Sequence, residues 1–349
     1  MAEKSSFMEN EILEQSTIIE DLISRYVKNY CVMVNFPSKV KRIKFIASGS
    51  SYNAACIAKK FFRDIVGTDA CCDYSSEFLS SPNQKVDPDA LYFFISQSGE
   101  TADTVEVMDI VKKAGAKTYA IVNNERSYMY ENADYSLFAA AGKEESIAAT
   151  KSFTACVFCA WLCALKAAQN ISKDISKYMM NLQYIPRDMD ETLFLEKKID
   201  KAASFLSKYK SFPVVGYDYY YELAKEGSLK IKETSYIDSN PYALGEFIHG
   251  HVALLNHQSA LIEIYSEDMG QYEKRSLKKI EDNYNPKVVA ITDTKDMVKA
   301  DYTIVFTKTD CQITRVLCVA LVLQLLALKI AYKLKRDVDN PQGLSKVVR

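Results

Sequence analysis

Leu91-Tyr92-Phe93-Phe94-Ile95-Ser96-Gln97-Ser98-Gly99-Glu100-Thr101-Ala102-Asp103-Thr104 changes character at its sixth residue. Five apolar residues give way to hydroxyls, a glycine and an acid, and a helical pattern follows. A short continuous apolar run of this kind is a strand buried on both faces, and such strands belong to parallel sheets whose crossovers are helices. Two further runs stand on either side. Lys44-Phe45-Ile46-Ala47 leads into Ser48-Gly49-Ser50-Ser51-Tyr52-Asn53 and a helix, and Thr118-Tyr119-Ala120-Ile121-Val122 is the third strand.

The pattern then recurs. Pro213-Val214-Val215-Gly216 precedes a helical stretch through Lys232, and Ala260–Ile264 and Lys287–Ile291 follow as strands. The letters themselves correspond: Lys117-Thr-Tyr-Ala-Ile-Val-Asn leads to Ala133-Asp-Tyr-Ser-Leu-Phe, and Lys287-Val-Val-Ala-Ile-Thr-Asp leads to Ala300-Asp-Tyr-Thr-Ile-Val. Two copies of one α/β unit account for this. The expected fold is α/β, with two doubly wound parallel-sheet domains related by an internal repeat. Residues 1–170 hold an N-terminal helix (Met8 to Tyr30) and the first domain. Residues 171–200 form a linking helix, and the helical, Cys-bearing segment Ser152 to Leu193 joins the two copies. Residues 201–335 form the second domain, and residues 336–349 are a C-terminal tail. In open sheets of this kind ligands sit beyond the carboxyl ends of the strands.

With 349 residues, 48% hydrophobic and 26% charged, the chain can build a large core. Its net charge of −1 argues against a nucleic-acid or anionic-membrane partner, which would require a cationic excess. Met1 to Gln15 is polar and acidic, with no apolar leader region, and the nine cysteines make no disulfide framework. The expectation is a reducing, cytoplasmic setting with buried thiols. Cys156 and Cys159 could form half a zinc site, but no second pair completes it, so no metal is expected. Val316 to Leu334 is apolar but carries Gln324, Lys329 and Lys333, which suits a buried core helix better than a bilayer span.

Five segments carry candidate chemistry. Ser96 to Thr101 lies between a strand and a helix, where unpaired N–H groups and the positive dipole end receive anions. Ser96, Ser98 and Thr101 add hydroxyls, and the absence of lysine rules out a nucleotide P-loop; a merely well-capped turn is the alternative. Ser48 to Asn53, with Ser50 and Ser51, invites the same two readings. Glu226, Lys230 and Glu233 share a helix face, either as a solvated charge ladder or as a proton-transferring base with its partner. His249 and His251 are two of only three histidines and flank Gly250, which suits acid/base work, a metal or a structural role. Lys346 in the tail is either a solvated charge or a Schiff-base lysine.

Taken in order, these segments resemble the sugar isomerase (SIS) family, and within it the isomerase half of glucosamine-6-phosphate synthases. The likeness runs through Met8-x-x-Glu11-Ile-x-Glu14-Gln15, Gly49-x-Ser51-Tyr52-Asn, Ser76-Glu-Phe78 and Ser96-Gln-Ser-Gly-Glu-Thr-Ala-Asp-Thr. It continues through Ala149-Thr-Lys-Ser-Phe-Thr, Lys230-x-x-Glu233-x-x-Tyr236, Gly245-Glu-x-x-His249-Gly and Asp339-x-Pro-x-x-Leu-x-Lys346. The resemblance implies that Ser50, Ser51, Ser96, Gln97, Ser98 and Thr101 bind a sugar phosphate, with Ala149 beside it. It implies that Glu233 shuttles a proton between C1 and C2, Lys230 assists at the ring oxygen, and His249, from a neighbouring subunit, opens the ring. Lys346 would form the Schiff base with a ketose phosphate. No cofactor is implied, and the partners would be a sugar phosphate and a second copy of the chain in a homodimer.

Two departures stand out. The glutaminase half of the synthases is absent from this sequence, so glutamine-driven synthesis by this chain alone is not expected. Ala149 stands where the family has serine, and Lys143-Glu-Glu-Ser-Ile differs in the loop before it, hinting at another sugar or an added group. The expected function is isomerisation or deamination of an amino-sugar phosphate of the glucosamine 6-phosphate/fructose 6-phosphate type. The alternatives are a deglycase of a 6-phosphorylated sugar–amine adduct and a non-catalytic phosphosugar sensor. The ending Lys346-Val-Val-Arg349 leans toward the deaminase-like relatives.

Overall fold

The computed structural model describes residues 5–81, 83–295 and 297–346. The chain divides into two compact units, each built on a five-stranded parallel sheet. The first-sheet unit comprises Glu14–Glu144, Ala149–Pro186 and Ser345–Arg349, and the second-sheet unit comprises Met1–Leu13, Glu145–Ala148 and Arg187–Leu344.

In the first sheet the strands lie in the order Asp69–Tyr74, Arg42–Ala47, Leu91–Ser96, Lys117–Val122, Tyr135–Phe138. The apolar run of the central strand serves both faces, as the lack of polar alternation requires. Phe93 turns to an aromatic layer with Phe36, Phe45, Phe62 and Tyr119, where Phe93 and Tyr119 stack at 4.5 Å. Tyr92 and Phe94 turn the other way, to Val107, Met108 and Val111 of the helix Ala102–Lys113.

The second sheet repeats the order: Asp238–Ala243, Ser211–Gly216, Ala260–Ile264, Lys287–Thr292, Tyr302–Val305. One face packs on the helix Gln271–Tyr284 through Leu261, Tyr265, Leu277 and Ile280. Matching brackets fasten the last two strands of each sheet. Lys117 pairs with Asp134 at 2.6 Å while Asp134 accepts from the Thr118 amide at 2.9 Å. Lys287 pairs with Asp301 at 3.3 Å while Asp301 accepts from the Val288 amide at 2.9 Å.

The edge strands Asp69–Tyr74 and Asp238–Ala243 escape sequence reading because they are half-exposed and polar, and the second contains Pro241. Proline is tolerated at an edge, where its missing N–H costs no ladder bond. The expected N-terminal helix Met8 to Tyr30 is corrected. It is two helices, Phe7–Leu13 and Gln15–Tyr26, which belong to different units. Its expected last turns are a hairpin in which Val27 and Lys28 pair with Val32 and Cys31. Asn29 and Tyr30 at its tip both have positive φ, the geometry of a tight two-residue turn. The single helix expected over 171–200 is likewise a series: Ser176–Asn181, the short turn Leu182–Tyr184, Ile185–Leu193 and the start of Glu196–Leu206. Ser172, at φ 60°, turns the chain out of the preceding helix Lys151–Asn170.

Gln312–Lys333 and Lys151–Asn170 are long and apolar enough to cross a membrane, and both are mostly buried in the protein. None of the nine cysteines, all among the described residues, is in a disulfide. Burial pushes the Cys156 and Cys163 thiols up to about 12, so they pack as small hydrophobes.

Candidate active site

In the first sheet the strand order reverses between Arg42–Ala47 and Leu91–Ser96, the place where a doubly wound sheet opens a crevice at its carboxyl edge. The two serine-rich segments follow these two strands: Ser96–Thr101 is a loop, whereas the helix expected after Asn53 already begins at Gly49, so Ser50 and Ser51 lie in its first turn. Ser96 Oγ lies 2.9 Å from Thr101 Oγ1 and accepts from the Gly99 amide at 3.0 Å. Ser98 Oγ accepts from the Glu100 amide at 3.1 Å. Gly99 has φ +69°, so the turn needs a residue at ease in the left-handed region.

The two acids of the loop and helix start each hold a donor from a neighbouring segment. Glu100 accepts from the Tyr128 amide at 2.7 Å. Asp103 accepts from Ser48 Oγ at 2.8 Å, fastening the residue that precedes the helix Gly49–Phe61 to the first turn of the helix Ala102–Lys113. The sequence motif thus divides its labour: hydroxyls shape the loop and acids brace it.

The same unit holds the tail lysine. Lys346 Nζ donates to Glu144 Oε2 at 2.6 Å. Glu144 has no exposed side-chain surface and also receives the amides of Thr150 at 2.9 Å and Ser152 at 3.1 Å, and Ser152 Oγ at 2.7 Å. It therefore caps the helix Lys151–Asn170, whose positive end favours an anion. Burial opposes the charge, but Lys346 and these donors outweigh it and hold the carboxyl below the ordinary carboxylate range. Ala149, half-buried, immediately precedes this cap. Val347 to Arg349 lie outside the described residues.

In the second-sheet unit, the helix Tyr219–Ser235 carries Glu226, Lys230 and Glu233 on one face. Lys230 Nζ is 2.5 Å from Glu233 Oε2 and 3.4 Å from Glu226 Oε1. Lys230 and Glu226 are buried, with side chains 1% and 3% exposed, whereas Glu233 keeps 22%. This is not a solvated ladder but a buried cation between two carboxylates, one of which reaches solvent. His249 is exposed, beside the turn at Glu246 that receives its amide at 3.0 Å. His251 lies against the Tyr242 ring at 4.4 Å between centroids.

Other motif residues prove to be anchors. Asp339 accepts from the amides of Phe7 and Met8 at 2.8 and 2.9 Å, capping the first helix from the far end of the chain. Glu11 receives the amides of Glu145 and Ser146. Tyr236 Oη accepts from the Gln342 amide at 2.6 Å, fixing the start of the tail.

Residues 38–166 match the SIS domain, and so cover the first sheet and both of its serine-rich segments. They are a SIS domain. The whole chain is similar to the glutamine–fructose-6-phosphate aminotransferase (isomerizing) of Campylobacter jejuni, at 32% identity over 98% of this chain. It is similar to the enzyme of the same name from Mesorhizobium japonicum at 34% over 98%. The chain spans 58% of the length of each of these relatives. Among solved structures it resembles the C-terminal domain of glucosamine-fructose-6-phosphate aminotransferase from Francisella tularensis. That likeness has a TM-score of 0.90 and 26% identity, and covers 97% of this chain and 98% of that one. The SIS domain contains Ser51, the loop Ser96–Thr101, Glu144 and Ala149, while Lys230, Glu233, His249 and Lys346 lie outside the matched segment.

Glu144 is the residue that sequence reading passed over. Its partner Lys346 is 202 positions away, and the local signal is an acid six residues before Thr150.

Proposed function

We propose that this protein is a phosphosugar isomerase or deaminase acting on an amino-sugar phosphate of the glucosamine 6-phosphate/fructose 6-phosphate type. The observation that carries the reading is the buried Lys230 held against Glu233, a carboxylate that keeps access to solvent. Aldose–ketose interconversion requires a base that moves one proton between neighbouring carbons and a cation beside the oxygen that gains charge. Glu233 and Lys230 supply both.

The SIS domain supplies the anchor. Ser96, Gln97, Ser98 and Thr101, with Ser50 and Ser51, receive the phosphate at the amino end of the helix Ala102–Lys113. His249 opens the sugar ring, and Lys346 forms a Schiff base with the ketose. The relatives named for fructose 6-phosphate favour that ketose. Two copies of the chain act together as a homodimer in the cytoplasm, and all these roles need only side chains.

Ala149 favours a second reading. Its methyl group stands half-buried where the family has a hydroxyl, leaving room for a substituent on the sugar nitrogen and suggesting a deglycase. The test is a panel of glucosamine 6-phosphate, fructose 6-phosphate and 6-phosphorylated sugar–amine adducts, followed by product analysis. Release of fructose 6-phosphate and ammonia from glucosamine 6-phosphate, lost by about 10²–10⁴-fold in Glu233→Gln, supports the first reading. Preference for an adduct supports the second. Binding of every phosphosugar with turnover of none would leave a sensor.

A further inference from the structure

We propose that Glu144 is the counter-ion of the protonated Schiff base that Lys346 forms with a ketose phosphate. The inference rests on the reading of Lys346 above and adds a residue to it.

The geometry is specific. Glu144 Oε2 lies 2.6 Å from Lys346 Nζ and 2.7 Å from Ser152 Oγ, and Oε1 receives the amides of Thr150 and Ser152. A side chain with no exposed surface is fixed by four donors, three of which belong to the start of one helix. Two neighbouring titrating groups are otherwise accounted for. Lys151 turns to Glu14 at 2.7 Å, and the buried Cys156 thiol stays neutral because burial and Glu144 itself raise it.

A carboxylate so well supplied with donors is a poor proton acceptor, so it is not the base that frees the lysine. Its value lies in the charge balance of the reaction. An ammonium and a ketone become an iminium and water: R–NH3+ + O=C → R–NH+=C + H2O. Two N–H bonds and the C=O bond break, the C=N bond and the two O–H bonds of water form, and the positive charge stays on nitrogen. A fixed anion in contact with that nitrogen therefore stabilises the ammonium before the step and the iminium after it, without changing its own protonation. The iminium is the species that withdraws electrons from the adjacent carbon, so a nearby anion extends the pH range over which the adduct is reactive.

The experiment is trapping of fructose 6-phosphate on the full chain with cyanoborohydride, which reduces the iminium in preference to the neutral imine. Buffers run from mildly acidic to alkaline, and the adduct at Lys346 is read by peptide mass spectrometry. In Glu144→Gln the alkaline limb should move to lower pH by about 1–3 units, a loss of roughly tenfold or more where the wild type is still half-maximal. Glu144→Asp, which keeps the charge, should move it part of the way back. A purely structural role would lower the yield at every pH alike.

Coincident limbs in wild type and Glu144→Gln overturn the counter-ion while leaving the Schiff base intact. No adduct at Lys346 in the wild type overturns both. Should Glu144→Gln fail to fold, carbon-13 NMR of the wild type with fructose 6-phosphate labelled at C2 decides. An iminium resonance persisting through neutral pH supports the counter-ion, and conversion to the neutral imine below neutrality overturns it.

Discussion

A Cβ placed on Gly99 would lie 2.1 Å from Ser127 Oγ and 2.5 Å from Ser127 Cβ, at a φ that already disfavours a side chain. Gly99→Ala must therefore displace either the loop or the segment that braces it. We expect a loss of about 1–3 kcal/mol in stability and more than tenfold weaker binding of fructose 6-phosphate, measured by thermal melting and calorimetric titration. Lys230→Met removes the cation from between two carboxylates and should destabilise the fold by about 3–5 kcal/mol in urea unfolding, well beyond what an exposed ion pair would cost. Glu263 is a buried acid in the middle of the second sheet. Burial, and then Glu281, raise its carboxyl to about 8. Its folded value lies above its unfolded one, so the stability it contributes is full below the unfolded value and is lost as pH rises toward 8. Urea melts of the wild type should show a falling slope of at most about 1.4 kcal/mol per pH unit, which Glu263→Gln flattens. At this scale the sequence was legible where chemistry is local. The hydroxyls of Ser96 to Thr101 announce their loop, while Glu144 and Glu263 look like any other acid until distant residues bury them.

Helices and strands were legible in proportion to their burial. The fully buried strands Leu91–Ser96 and Ala260–Ile264 stand out as apolar runs, and the exposed edges Asp69–Tyr74 and Asp238–Ala243 do not. The helix Tyr219–Ser235 carries a further constraint invisible in its letters. A Cβ on Gly227 would meet Leu323 Cδ2 at 2.8 Å, so the helix approaches Gln312–Lys333 closely at that residue. Gly227→Ala gains helix propensity but overpacks this contact. We expect a net loss of up to about 3 kcal/mol, with Glu233 shifted on the same helix, so that turnover falls more than substrate affinity in steady-state kinetics. The second sheet has its own serine at the matching carboxyl edge, Ser266. There Tyr217 Oη sits 2.9 Å from it and Arg315 is tied to Asp268 at 2.7 Å. That edge thus carries polar pairs of its own.

As a whole, the chain changes unit at 13/14, 144/145, 148/149, 186/187 and 344/345. Sequence reading placed two consecutive domains, because a repeat shows where each copy starts but not which short segments return to the other one. The consequence is testable by fragmentation. A 187–344 fragment lacks the helix Phe7–Leu13, whose amides Asp339 caps and whose Glu9 pairs with Lys329 at 3.1 Å. It should melt below the full-length protein, and a synthetic peptide of residues 5–13 should raise its melting temperature in proportion to the logarithm of peptide concentration.

The bond from the Gln342 amide to Tyr236 leaves Lys346 on a tether of four residues, at most about 14 Å of extended chain. Such a tether gives the amine a high effective concentration at any point within its reach, as a short linker does for a second binding event. Doubling its length with a four-residue Gly-Ser-Gly-Ser insertion after Gly343 should slow cyanoborohydride trapping at Lys346 several-fold while leaving phosphate affinity unchanged, because dilution acts on the nucleophile alone.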